Sequence, residues 1–320
     1  MNSRFVTDTV IPQRQEKSDP PLSFSQERLW FLDAMGAGRS YHMPVALKLT
    51  GRLKLAVLRE ALEEIVARHE ALRTVFPSPA GQPTAIIVQS QTLELTIVDV
   101  NPGEALQAAS SEAAEPFDLA DGPLLRAKLF RLTPDEHWLV ISIHHIVCDG
   151  WSVTNFVSEL AELYSALLQR RTARLPDLLV QYGDYALWQR QHLASQEGNA
   201  VRAFWRQELE GVPPALELPG DRPRPATPAG PSARVLLNIP DRLVAALEEL
   251  SRDEGTTVFS TLLAGWQTLL HRWTGEVDFC VGTPVAGRTR PEFESLIGLF
   301  VNTLVLRGDL SGDPAFREVL

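Results

Sequence analysis

The stretch from Pro123 to Leu168, "PLLRAKLFRLTPDEHWLVISIHHIVCDGWSVTNFVSELAELYSALL", constrains the fold more than any other part of the chain. Apolar runs on either side of "TPDE" read as two strands joined by a turn. The second run, Trp138 to Ile143, is almost wholly apolar, which suits a central strand buried on both faces. The polar break "HHIVCDG" follows. Val153, Phe156, Val157, Leu160, Leu163, Tyr164 and Leu167 then recur at helical spacing. The break therefore lies in a strand–loop–helix connection, a place where functional groups are presented by a rigid scaffold.

The flanking sequence extends a mixed α/β pattern. Residues 1–20 are polar and Pro-bearing and read as a linker or tail. Ser25 is a candidate cap for a helix through "ERLWFL". "VALKLTG" reads as a strand, and Leu55, Leu58, Leu62, Ile65 and Val66 as the apolar stripe of a helix. "TAIIVQ" and "LELTIVDV" are expected to pair as short strands, followed by a helix over 102–114. Seven prolines between Val212 and Ser232 exclude a regular element there. Beyond them the pattern restarts with a strand at "ARVLLNIP", two helices over 241–275 and a strand at "DFCVGTPV". The Trp266 and Trp273 stripe is expected in the core. The last residues, "DPAFREVL", resemble an interrupted helix, so the chain looks cut there.

Composition sets outer limits on function. A formal charge of -10 argues against a nucleic-acid surface, which needs clustered Lys and Arg. No run approaches the ~18 apolar residues of a membrane span. Cys148 and Cys280 form no disulfide framework, and the N-terminus has no signal-peptide core. These features read as a cytoplasmic protein with reduced thiols.

The histidines His144 and His145 admit several readings. An adjacent pair at a strand end can be simply hydrogen-bonded structure. A shared metal ion is disfavoured, because successive strand residues point to opposite faces. The same alternation allows one ring to pack inward while the other faces a cavity, where a near-neutral imidazole suits general-base work. Asp149 can then brace the loop or orient a ring nitrogen, with Gly150 in the turn.

Further stretches bear on this choice. "SFSQERLWFL", "RHEALRTVF", "HHIVCDGWS", "YGDYALWQ", "VGTPVAGRTRPEFE" and "IGLFVNTLVLR" occur in this order across nearly the whole chain. Together they resemble the successive core motifs of condensation domains of nonribosomal peptide synthetases. The resemblance implies an α/β (α+β) fold with two chloramphenicol-acetyltransferase-like lobes in a V and a tunnel between them. On this basis residues 21–178 form the lobe carrying HHxxxDG, and 179–320 a partial second lobe that includes the Pro-rich connection 212–232. Ending before the family's last motifs, that lobe would be incomplete and would expose apolar surface.

The resemblance also assigns roles. His145 is the catalytic histidine and His144 the inward, structural ring. Asp149 pairs with Arg288 of "AGR" to lock the loop, and the Gly150 N–H is a donor for an oxyanion. Trp151 and Ser152, which close the motif, are expected beside substrate. Arg68, Arg73, Trp30, Asp184 and Trp188 are expected to stabilise the fold, Asn302 to order the segment near the tunnel, and Cys148 to be a small loop residue. The implied reaction joins an acceptor aminoacyl thioester to a donor acyl or peptidyl thioester, leaning toward an L-donor and an L-acceptor. No cofactor is bound; substrates arrive on phosphopantetheine arms of donor and acceptor carrier proteins, with adenylation and carrier domains adjoining and with neither nucleic acid nor membrane as partner. Epimerisation by the same fold, or carrier binding without turnover, is the alternative.

Overall fold

The computed structural model describes residue 11 and residues 13–14, 18–213, 215–220 and 235–320. Most of the expected linker 1–20 and most of the Pro-rich connection, residues 214 and 221–232, lie outside them. The described part of the linker is not free. Ile11 is buried, and Arg14 Nε donates to Asp184 Oδ1 at 2.9 Å while its other end pairs with Glu70.

The described residues form two compact units, one of residues up to 199 together with 285–302, the other of 200–284 together with 303–320. In the first unit α1 (Phe24–Leu32) begins at Ser23, two residues before the expected cap. Ser23 Oγ accepts the Gln26 N–H and Gln26 Oε1 accepts the Ser23 N–H, a reciprocal pair that Ser25 has no partner to form. Then come β1 (His42–Thr50), α2 (Leu55–Arg68), β2 (Thr74–Val75), β3 (Ile86–Ile87), β4 (Leu95–Asp99), α3 (Ala105–Ala114), β5 (Leu125–Thr133), β6 (Glu136–His144), α4 (Gly150–Gln169) and α5 (Tyr182–Ala194). α6 (Gln196–Glu208) follows.

The main sheet has the order β1-β6-β5-β4. β6 is central and antiparallel to both neighbours, whereas β4 joins β5 in parallel. Accordingly, "TAIIVQ" and "LELTIVDV" do not pair with each other: β3 pairs with β2, and β4 with β5. Adjacency in sequence loses here to burial, since Leu95 needs the sheet face that β5 offers. Leu139, Ile141 and Ile143 of β6 join Leu58, Leu62 and Ile65 of α2 and Phe156, Leu160 and Leu163 of α4 in the main core. The opposite face of β6 packs Val140 with Phe130 and with Ala109 of α3.

Residues 179–199 and 285–302 also join this core, so the lobe limit read at 178/179 falls inside the first unit. Aromatic packing is the reason. Tyr182 and Tyr185 of α5 meet Phe300 at ring-centroid distances of 5.1 and 4.6 Å, and Tyr185 meets Phe293 at 5.0 Å.

The second unit holds α7 (Asp241–Asp253), α8 (Val258–Thr274), β7 (Asp278–Val285) and β8 (Asn302–Asp309); α9 (Pro291–Glu294) lies in the 285–302 stretch and α10 (Phe316–Val319) closes the chain. β7 and β8 form a two-stranded sheet, and Leu270, Phe279 and Leu310 a small core. The expected strand at "ARVLLNIP" is absent among its described residues: 235–240 have no regular structure, and Val235, Leu236 and Leu237 are exposed. Trp266 and Trp273 are 49% and 59% exposed, not core, because α8 buries its opposite side through Thr261, Ala264, Gln267 and Leu270. No described helix is long and apolar enough to cross a membrane.

Candidate active site

The loop after β6 is built one residue at a time. His144 ends the strand with its ring fully buried, and its Nδ1 accepts the Ile146 N–H at 3.1 Å. That bond closes the 3-10 turn His145–Val147. Burial pushes the His144 pKa down to about 4, with the charges of His42 and His145 adding to the effect. At neutral pH this ring is uncharged.

His145 is half-buried. Its Nδ1 lies 2.7 Å from the Cys148 carbonyl oxygen, which can only accept, so the proton is on Nδ1. A neutral imidazole fixed this way carries its lone pair on Nε2. Cys148 itself is buried, and burial together with the neighbouring Asp149 charge raises its thiol pKa far above the ordinary value, which makes it inert.

Asp149 does not orient either histidine ring; it caps α4. Oδ1 accepts from the Ser152 N–H at 2.8 Å, the Ser152 hydroxyl at 2.7 Å and Arg288 Nη2 at 3.2 Å. Oδ2 accepts from the backbone of Phe300 at 2.9 Å and Val301 at 3.2 Å. The carboxylate thus ties the loop to the 285–302 stretch with no lone pair exposed. Arg288 also donates to the Leu296 carbonyl at 3.0 Å and lies over the Phe300 ring at 4.1 Å. Burial lowers the guanidinium pKa, and the Asp149 charge opposes that shift.

Gly150 is the first residue of α4, where backbone N–H groups have no intrahelical acceptor, and open space borders its Cα. Trp151 is 47% exposed; its indole N–H donates to the Glu294 carbonyl at 3.0 Å, which leaves the ring as the part open to a ligand. Ser152 requires a correction. It is fully buried, and its hydroxyl is engaged by Asp149, Arg288 and the Gly298 carbonyl, so it belongs to the frame and cannot touch substrate.

Sequence reasoning missed several participants. Asn155 donates to the Glu294 and Leu296 carbonyls, and Tyr182 donates to the Leu299 carbonyl. Gly298 lies so near the Tyr182 ring that a Cβ there would collide with it. The only sequence signal for these contacts was the density of Gly and aromatic residues in "IGLF", which does not name their partners.

Residues 16–320 match the family model of the condensation domain. The chain belongs to the condensation-domain family. It is 44% identical over 308 residues to one of the linear gramicidin synthase chains of Brevibacillus parabrevis, an alignment covering 94% of this chain and 6% of that protein. Phosphinothricin tripeptide synthetase PhsC of Streptomyces viridochromogenes is 40% identical, covering 98% of this chain and 30% of that one. This condensation domain thus spans only a small part of the curated relatives it matches.

Among solved structures, the X-domain from teicoplanin biosynthesis superposes with a TM-score of 0.90 at 32% identity, over 97% of this chain and 70% of that one. The first condensation domain of the calcium-dependent antibiotic synthetase, in complex with a substrate analogue, superposes with a TM-score of 0.74 at 26% identity, over 95% and 71%. The mixed α/β condensation-domain fold is therefore shared.

Proposed function

We propose that this domain forms amide bonds in nonribosomal peptide synthesis, with His145 as the residue that serves the reacting amine. The observation that carries the reading is the Nδ1 contact of His145 with the Cys148 carbonyl, which leaves the Nε2 lone pair available on a half-buried ring. The acceptor amine nitrogen attacks the donor thioester carbonyl, a C–N bond forms, and His145 Nε2 takes the amine proton. Collapse of the tetrahedral intermediate breaks the C–S bond, and the proton passes to the departing thiolate. A free α-amine has a pKa of about 7.7–8.0, so much of it is already neutral and a hydrogen bond to Nε2 also serves to aim it.

The Gly150 N–H at the positive end of α4 is the donor assigned to the developing oxyanion. Asp149 and Arg288 hold the loop, His144 its base, and the exposed ring of Trp151 borders substrate. Both substrates ride on phosphopantetheine arms of carrier proteins in the cytoplasm, and the donor and acceptor are L-configured. The names of the matched synthetases and the intact His145, Asp149 and Arg288 set support this reading.

The test is single-turnover transfer between two loaded carrier proteins, read by intact mass of the acceptor. Amide-linked product is expected, and His145→Ala should lower the rate by about 10²–10⁴-fold while the chain still folds, the lost bond to the Cys148 carbonyl lowering the melting temperature only modestly. Exchange of the α-proton without amide formation would mean epimerisation. Carrier binding with no chemistry would make the domain a docking platform.

A further inference from the structure

The first histidine of the pair makes a contact that the reaction above leaves unexplained. With Nδ1 accepting from Ile146, the His144 proton must be on Nε2. That atom is buried and has no hydrogen-bond partner. Buried donors are normally paired, and leaving one unpaired costs about 1–3 kcal/mol. Asp33 Oδ1 stands 3.8 Å from it. This is longer than a formed hydrogen bond, yet contacts in unliganded sites tighten when substrate arrives.

Local backbone aims Asp33 at the ring. The residue caps the end of α1 and opens a π-turn, Asp33–Ala37, that bends back through Gly36 at φ 88°. Its Oδ1 occupies the space that a side chain at Gly38 would fill. Edge-on rings wall the pair: His42, which sits opposite His144 in the β1–β6 register, at a centroid distance of 6.1 Å, and Phe117 at 5.8 Å. The charged and titratable groups around the pair are His42 on β1, His145 on the turn, Asp118 after α3, and Arg126 of β5 stacked on Phe117. Asp33 is partly exposed, with a side-chain exposure of 28%.

We propose that Asp33 is a positioning residue for the reaction, its carboxylate accepting the Nε2–H of His144 and so locking the tautomer that builds the turn carrying His145. Two links of the relay are formed, His144 Nδ1 to the Ile146 N–H and His145 Nδ1 to the Cys148 carbonyl on the turn so built, and closing the 3.8 Å gap between Asp33 and His144 Nε2 completes it. It goes beyond the proposed amide formation and rests on that reading only for the role of His145.

The experiment is ¹⁵N-histidine side-chain NMR on this chain, with His144 and His145 assigned by substitution, alongside the single-turnover assay. The native protein should show His144 as the Nε2–H tautomer and His145 as the Nδ1–H tautomer. Asp33→Ala should mix the His144 tautomers, speed exchange of its ring proton at least about tenfold, shift the His145 Nδ1–H resonance and slow transfer by about tenfold or more. Asp33→Asn, whose amide oxygen still accepts, should restore most of each effect. Unchanged His144 and His145 spectra in Asp33→Ala overturn the proposal, as does a spectrum that moves while the transfer rate and its pH profile do not. A native chain that makes no amide refutes the His145 reading instead, and the spectra still decide this one.

Discussion

At the residue scale the loop sets a fully buried histidine beside a half-buried one and a buried carboxylate. His144 is neutral because burial disfavours its charged form, which gives a pH signature. Its pKa is about 4 folded against about 6.5 unfolded, so between these values the unfolded chain binds more protons. Stability must therefore rise with pH from about 4 to about 6.5 and level off above. The contribution is about 3 kcal/mol. Urea titrations across that range should show the slope, and His144→Leu should flatten it: stability falls near neutral pH, where the Ile146 N–H loses its acceptor, and that deficit shrinks toward pH 4, where the native ring carries the larger penalty. Asp149 and Arg288 form the opposite case, a charged pair with side-chain exposures of 2% and 1%. Asp149→Ala should cost roughly 3–5 kcal/mol, because it strands a buried guanidinium and uncaps α4. A variant losing less than about 1 kcal/mol in urea would show that the pair does not hold the loop.

At the scale of elements, the loop is a junction of three pieces: the end of β6, the start of α4 and the 285–302 stretch. Strand and helix were legible in the sequence because their apolar periods are strong, period two with an apolar fill for β6 and 3.6 for α4. The third piece was legible only as a motif. Its residues contribute backbone more than side chains: the N–H groups of Phe300 and Val301 and the carbonyls of Glu294, Leu296 and Gly298. Backbone groups have no sequence signature, so the packing had to supply the partners. Gly298 shows the tightness of the junction. Gly298→Ala would push a methyl into the buried Tyr182 ring, and overpacking of this kind costs about 1–3 kcal/mol. Thermal melts should fall accordingly, whereas Gly150→Ala, facing open space, should leave the melt nearly unchanged.

For the whole molecule, the two units differ in how completely each buries its apolar residues. The first has a large core; the second leaves Val235, Leu236 and Leu237 exposed, along with Phe259, Leu262, Trp266, Leu269 and Trp273 at helical spacing on α8. Patches of this kind promote association. Light scattering should show concentration-dependent association of the native chain, and Trp266→Gln with Trp273→Gln should reduce it while shifting stability by less than about 1 kcal/mol. By itself the sequence determined which segments are helix or strand wherever the apolar period is strong, and, through ordered motifs, the family and the residues to watch. Tertiary structure alone decided which partners each group has. It paired β4 with β5 rather than with its neighbour in sequence, turned Trp266 and Trp273 outward, withdrew Ser152 into the frame and set Asp33 beside His144. The physical reason is common to all four. Periodicity states that a residue has an apolar or polar side, while partner choice depends on which surface of another segment, distant along the chain, is left to be covered.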